Sequence, residues 1–116
     1  MYAMTIVKST EQAWDTPTAT EQEFDELVRW WADLRASGKV VAVARLAAPT
    51  AATTVAWRDQ QPIVTDGPYI EAKEAIAGFV LLDVESASEA IEIACSWPRT
   101  AAMRIEIRPT LERMDA

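Results

Sequence analysis

The chain has 116 residues, half of them hydrophobic and a quarter charged, with a formal net charge of -7. Such a chain suits one globular domain that buries roughly two-thirds of its unfolded surface without a metal or disulfide staple. The negative charge, with no run of Lys or Arg, argues against nucleic acid as a partner, and Cys95 as the only cysteine excludes an intrachain disulfide.

The chain contains no histidine. A Ser-His-Asp triad, a Cys-His pair, a histidine metal site and a histidine general base are therefore excluded, and acid-base work would fall to carboxylates, Lys, Tyr or Cys95. No metal or cofactor is expected. No apolar run approaches the length of a membrane span, and Met1 to Thr10 lacks the basic-then-apolar pattern of a secretory signal, so no membrane partner and a cytoplasmic location are expected.

Tyr2 to Val7 alternates bulky and smaller side chains and predicts a strand. Lys8 to Ala19 is polar, contains Pro17 and reads as a loop. Trp14 within it either packs over the edge of the core or forms a lid over a pocket. Thr20 with Glu23 makes a capping-box pattern and Gly38 a stop, so the spacing predicts a helix over Glu21 to Ala36. Its apolar stripe is Phe24, Leu27, Val28, Trp31 and Leu34, with Trp30 beside it.

Val40 to Leu46 is rich in β-branched residues without alternation, which predicts a strand buried on both faces. Arg45 is its charged exception, either ion-paired at the strand end or a guanidinium that binds an anionic ligand. Ala47 to Ala52 is a connector. Thr53 to Arg58 and Gln61 to Thr65 predict a hairpin around Asp59-Gln60, and Pro62 places it at a sheet edge.

The tight turn at Asp66-Gly67-Pro68 then leads into the most hydrophobic stretch of the chain, a predicted central strand over Ala77 to Val84. Gly78 in that strand permits a bulge or a close backbone approach. Ser86 with Glu89 opens a second helix whose inner face is Ala87, Ala90, Ile91, Ala94 and Trp97, and Pro98 ends it. Cys95, beside that face, reads as structural in preference to reactive. Met103, Ile105 and Ile107 alternate with Arg104, Glu106 and Arg108 in a half-exposed last strand, and residues 111–116 form a frayed tail after a domain of residues 1–110.

This order predicts an α+β fold, a ferredoxin-like split βαβ arrangement with an inserted hairpin. Two helices would cover one face of an antiparallel sheet. A second copy would cover the other, giving a homodimer.

The run Asp66-Gly67-Pro68-Tyr69-Ile70-Glu71-Ala72-Lys73-Glu74 resembles the DGPF motif of the YCII-related proteins, with Tyr69 in place of Phe and Ala72 in place of Thr. Ala51 to Val55, Ala87 to Trp97 and Arg104 to Pro109 are similar to further segments of that family. The resemblance implies a dimeric α/β barrel with a pocket in each protomer. It also implies a functional link to a sigma factor, because genes for DGPF proteins often lie near those for extracytoplasmic-function sigma factors. Some relatives in the wider superfamily are lyases or dehydrochlorinases with a His-Asp pair, a mechanism that a chain without histidine does not share.

The candidate ligand-binding residues are Arg45, Asp66, Tyr69, Glu71 and Lys73. Asp66 either caps its turn or faces the pocket, where burial would fit it for proton transfer. Two readings of function follow. One is a small-molecule-binding protein without catalysis, with a regulatory or stress-linked role. The other is a cofactor-free lyase or isomerase with Asp66 as base and Arg45 or Tyr69 polarising the substrate; a third, weaker reading is a protein-interaction module controlling transcription.

Overall fold

Four strands and two helices form the body of the chain in a computed structural model, which describes residues 1–11, 14, 20–68, 73–98 and 103–111. Strand β1 runs Tyr2–Ser9, helix α1 Glu21–Ala36, and strand β2 Val40–Arg45. A 3-10 turn at Pro49–Ala51 leads to strands β3 (Thr53–Arg58) and β4 (Gln61–Asp66). Strand β5 (Glu74–Leu82), helix α2 (Ala87–Cys95) and strand β6 (Met103–Pro109) complete the order. The main sheet has the order β2-β5-β1-β6 with antiparallel pairing throughout, and β3 and β4 pair only with each other in a separate hairpin. The fold is thus α+β, and with the hairpin set aside its strand order is compatible with a ferredoxin-like split βαβ arrangement.

The helices form where their caps predict. The Thr20 hydroxyl accepts from the Glu23 amide while the Glu23 carboxylate accepts from the Thr20 amide, a complete capping box. On α2 only half of the predicted box exists. The Ser86 hydroxyl accepts from the Glu89 amide at 3.2 Å, but the Glu89 carboxylate turns to the Glu85 amide and to Lys39 Nζ, 2.7 Å away. The Lys39 ammonium is the stronger attraction and draws the carboxylate from the cap.

The core lies between the helices and one sheet face. Met4, Val80 and Leu82 are fully enclosed, and Leu34, Val84 and Ala90 complete the buried cluster. Trp30, Trp31 and Trp97 pack on it as a mutually edge-to-face trio with centroids 4.8–5.6 Å apart, the preferred geometry for aromatic quadrupoles. The indole Nε1 of Trp30 also donates to Ser96 Oγ at 2.8 Å, tying α1 to the end of α2.

Several packing expectations need correction. Phe24 and Val28 are exposed, because α1 meets the core through its C-terminal half, where Trp30 and Leu34 lie. Ile93, not Ile91, faces the core on α2. Cys95 is exposed, so it is not a packed structural cysteine. Strand β2 is not buried on both faces. It is an edge strand with a register shift between Val40 and Ala42; the core reaches Val40, while Val41 and Val43 stay exposed.

Candidate functional site

The turn that follows β4 is built by backbone and threonine. Gly67 has φ of +96°, which an L side chain resists, so glycine is required there. Its amide donates to the Ala52 carbonyl at 2.7 Å, and the Thr54 hydroxyl donates to the Gly67 carbonyl at 2.7 Å. Asp66 pairs with Thr53 at the base of the hairpin and is exposed. Among the described residues its carboxylate accepts no hydrogen bond and forms no ion pair, so the cap is supplied by Thr54 and Ala52.

The other sequence-derived site residues are scattered. Arg45 ends β2 opposite Gly78, exposed at the sheet edge. Alternation along β2 puts its side chain on the same sheet side as Val43 and Val80, the side the helices cover. Lys73 is exposed at the start of β5, where its carbonyl accepts from the Thr10 amide. Four residues of strand, Glu74 to Ala77, separate Lys73 from Gly78, so the two lie roughly 16 Å apart along β5. No hydrogen bond or ion pair joins Arg45, Asp66 and Lys73 among the described residues. Tyr69 and Glu71 lie outside the described residues. Trp14 is half-buried, donates from Nε1 to the Ser9 carbonyl at 3.2 Å, and has Lys8 Nζ over its ring at 5.5 Å. It therefore packs against the end of β1.

A surface depression of 630 Å³ lies at the start of α1, between Thr20, Gln22, Asp25 and Arg29. None of the sequence-derived site residues lines it. Among the described residues no group of His, Cys, Asp and Glu is arranged to hold a metal ion, and no helix is long and apolar enough to cross a membrane.

The sheet face opposite the helices is the better-organised surface. The register of the ladders aligns Val7 with Ile76 and Arg104, then Thr5 with Phe79 and Glu106, then Ala3 with Leu81 and Arg108. Cross-strand partners share a face, so this side carries a central apolar strip on β5 and a charged column on β6. Ile76 is 51% and Phe79 38% exposed, in a sheet centre where large apolar residues are normally covered. The column is internally neutralised: Arg104 pairs with Glu74, and Arg108 with Glu106 at 2.5 Å. The sequence held one signal for this surface, the alternation of Ile and charged residues in β6. Ile76 and Phe79 were hidden because the unbroken apolar run of β5 gives no indication of which residues lie on which side.

A family model for the YCII-related domain matches residues 1–113, nearly the whole chain. The chain belongs to the YCII-related family. In this YCII-related chain the Asp66-Gly67-Pro68 motif is the left-handed turn at the base of the hairpin, which explains its glycine. An uncharacterized protein of Rhizobium meliloti (strain 1021) is 45% identical over 58 residues, 50% of this chain. The match spans 47% of that relative, about half its length.

Proposed function

We propose that this YCII-related protein is a homodimer that binds a small organic molecule between the two open sheet faces, without catalysing a reaction. The observation that supports it is the apolar strip of Ile76, Phe79 and Leu81 bordered by the paired charges of Arg104, Glu106 and Arg108. Apolar sheet faces are buried in stable proteins, and two copies meeting face to face give a dimeric α/β barrel. A space of that kind, with an apolar floor and a few polar groups at one side, suits a ligand with an apolar body and polar substituents. Neither Asp66 nor Arg45 has a partner among the described residues that would fit it for proton transfer or for polarising a substrate, so binding is preferred to lyase or isomerase chemistry.

The test is a thermal-shift screen of small organic acids, aromatics and metabolite-like amides, repeated on Phe79→Asp. Hits that raise the melting temperature of the native protein but not of Phe79→Asp support the reading. Turnover of any hit contradicts the non-catalytic part, and hits insensitive to Phe79→Asp contradict the location.

A further inference from the structure

We infer that the ion pair between Arg104 and Glu74 is the end wall of the binding strip on the open sheet face, and that it sets the longest apolar body the strip accepts. The inference rests on the binding reading above and adds a determinant of ligand length.

The wall is a product of the irregularity in β5. Side chains alternate along a regular strand, so Ile76 and Phe79, three positions apart, would point to opposite sides. The register shift that leaves Ala77 unmatched returns Ile76 to the side of Phe79, opposite Val7, and sets Glu74 on that same side, opposite Ser9. The bulge thus re-aims one apolar and one acidic side chain together. Arg104 lies opposite Val7 on the other flank of β1 and so shares the face.

Strands β5 and β6 are not neighbours, because β1 runs between them. The Arg104–Glu74 pair therefore spans two strand spacings, roughly 10 Å, and lies across β1 where Val7 gives way to Ser9. The last apolar row of the strip is Ile76 with Val7, and the ion pair stands directly beyond it. The Arg108–Glu106 pair runs along β6 instead, so it flanks the strip without crossing it.

Stacked sheets lie roughly 10 Å apart, so the side chains of each face fill about half of the gap. An ion pair laid across β1 fills its own half at that row. A ligand that grows past Ile76 has to displace the pair or strip its water. Each buried methylene raises affinity roughly fourfold, less than that displacement costs. The strip therefore suits an apolar body that stops at the row of Ile76 and Val7.

The experiment measures dissociation constants by titration calorimetry for straight-chain primary alcohols from butanol to nonanol. These probes are uncharged and cannot replace either partner of the pair. The proteins are the native chain, Glu74→Ala, Arg104→Ala, the double variant that removes both, Arg108→Ala as a control, and Phe79→Asp. Exposed ion pairs contribute little to stability, so the wall variants should keep the native circular dichroism. Native affinity should rise roughly fourfold per methylene and then level off. In Glu74→Ala and the double variant the rise should continue for about two further methylenes, the reach of the side chain removed. Arg108→Ala should keep the native break. A native series with no break, or a break that stays in place in the double variant, overturns the wall and leaves the binding reading intact. Alcohols that fail to bind the native protein, or that bind Phe79→Asp equally well, overturn the binding reading and the wall with it.

Discussion

A Cβ built on Gly78 would stand 2.7 Å from the carbonyl oxygen of Ala44. The contact is backbone to side chain at the junction of β2 and β5, next to the register shift that leaves Ala77 unmatched between Ile6–Gly78 and Val7–Ile76. The residue thus serves both roles that a glycine in a strand suggests, a bulge and a close approach. Gly78→Ala must push β2 away from β5. A loss of about 1–3 kcal/mol is expected, read as a lowered urea midpoint at unchanged slope. An unchanged midpoint would show that β2 shifts freely.

The tryptophan trio joins the two helices across the core. Trp97→Ala removes two of its three edge-to-face contacts, and a loss of about 2–4 kcal/mol is expected for this half-buried ring. Ser96→Ala keeps all three indoles and loses the bond from Trp30, together with the one the Ser96 hydroxyl donates to the Ile93 carbonyl, so its cost should be near 1 kcal/mol. Equal losses in denaturant unfolding would show that the trio contributes no packing beyond those bonds.

The turn between β3 and β4 is under local strain. Asp59 and Gln60 have φ of 51° and 67°, the signature of a type I′ turn, and Gln is poorly suited to it. Gln60→Gly should stabilise the hairpin by about 0.5–1 kcal/mol. Hydrogen exchange of the hairpin amides should then slow roughly twofold to fivefold, since 1.4 kcal/mol is a factor of ten. Faster exchange would contradict the assignment of strain to that residue.

Lys39 holds Glu89 in its charged form, chiefly through a hydrogen bond, and lowers its pKa from the ordinary 4.5. A lowered folded pKa contributes stability above the unfolded value, and that stability is lost as pH falls through the folded value. Glu89→Gln should therefore reduce stability at pH 7 and flatten its decline below about pH 4.5. A variant whose acid limb matches the native one would show that the pair does not act on folding.

The fold was more legible in the sequence than the site. Thr20, Glu23 and Gly38 bound α1 correctly because caps are local chemistry, and the Asp59-Gln60 hairpin followed from the strand runs on either side. The failures concern what lies across from a residue. Val41 and Val43 look like interior residues of a central strand, yet β2 is an edge, and strand order is set by pairing with β5, far along the chain. Arg45, Asp66 and Lys73 are neighbours of one motif or one strand end, but the sheet and the hairpin keep them apart. Ile76 and Phe79 carry the open face only because the register with Val7 and Thr5 turns them to that side.

The central claim is that two chains bury their open faces against each other, and molar mass in solution tests it most directly. Light scattering coupled to size exclusion at 10–100 μM, a range chosen to lie well above the dissociation constant of about 1 μM or less expected of an obligate interface, should give twice the 12.8 kDa chain mass. The Phe79→Asp variant should move toward the single-chain value. A native protein that elutes at the mass of one chain across that range would contradict the account.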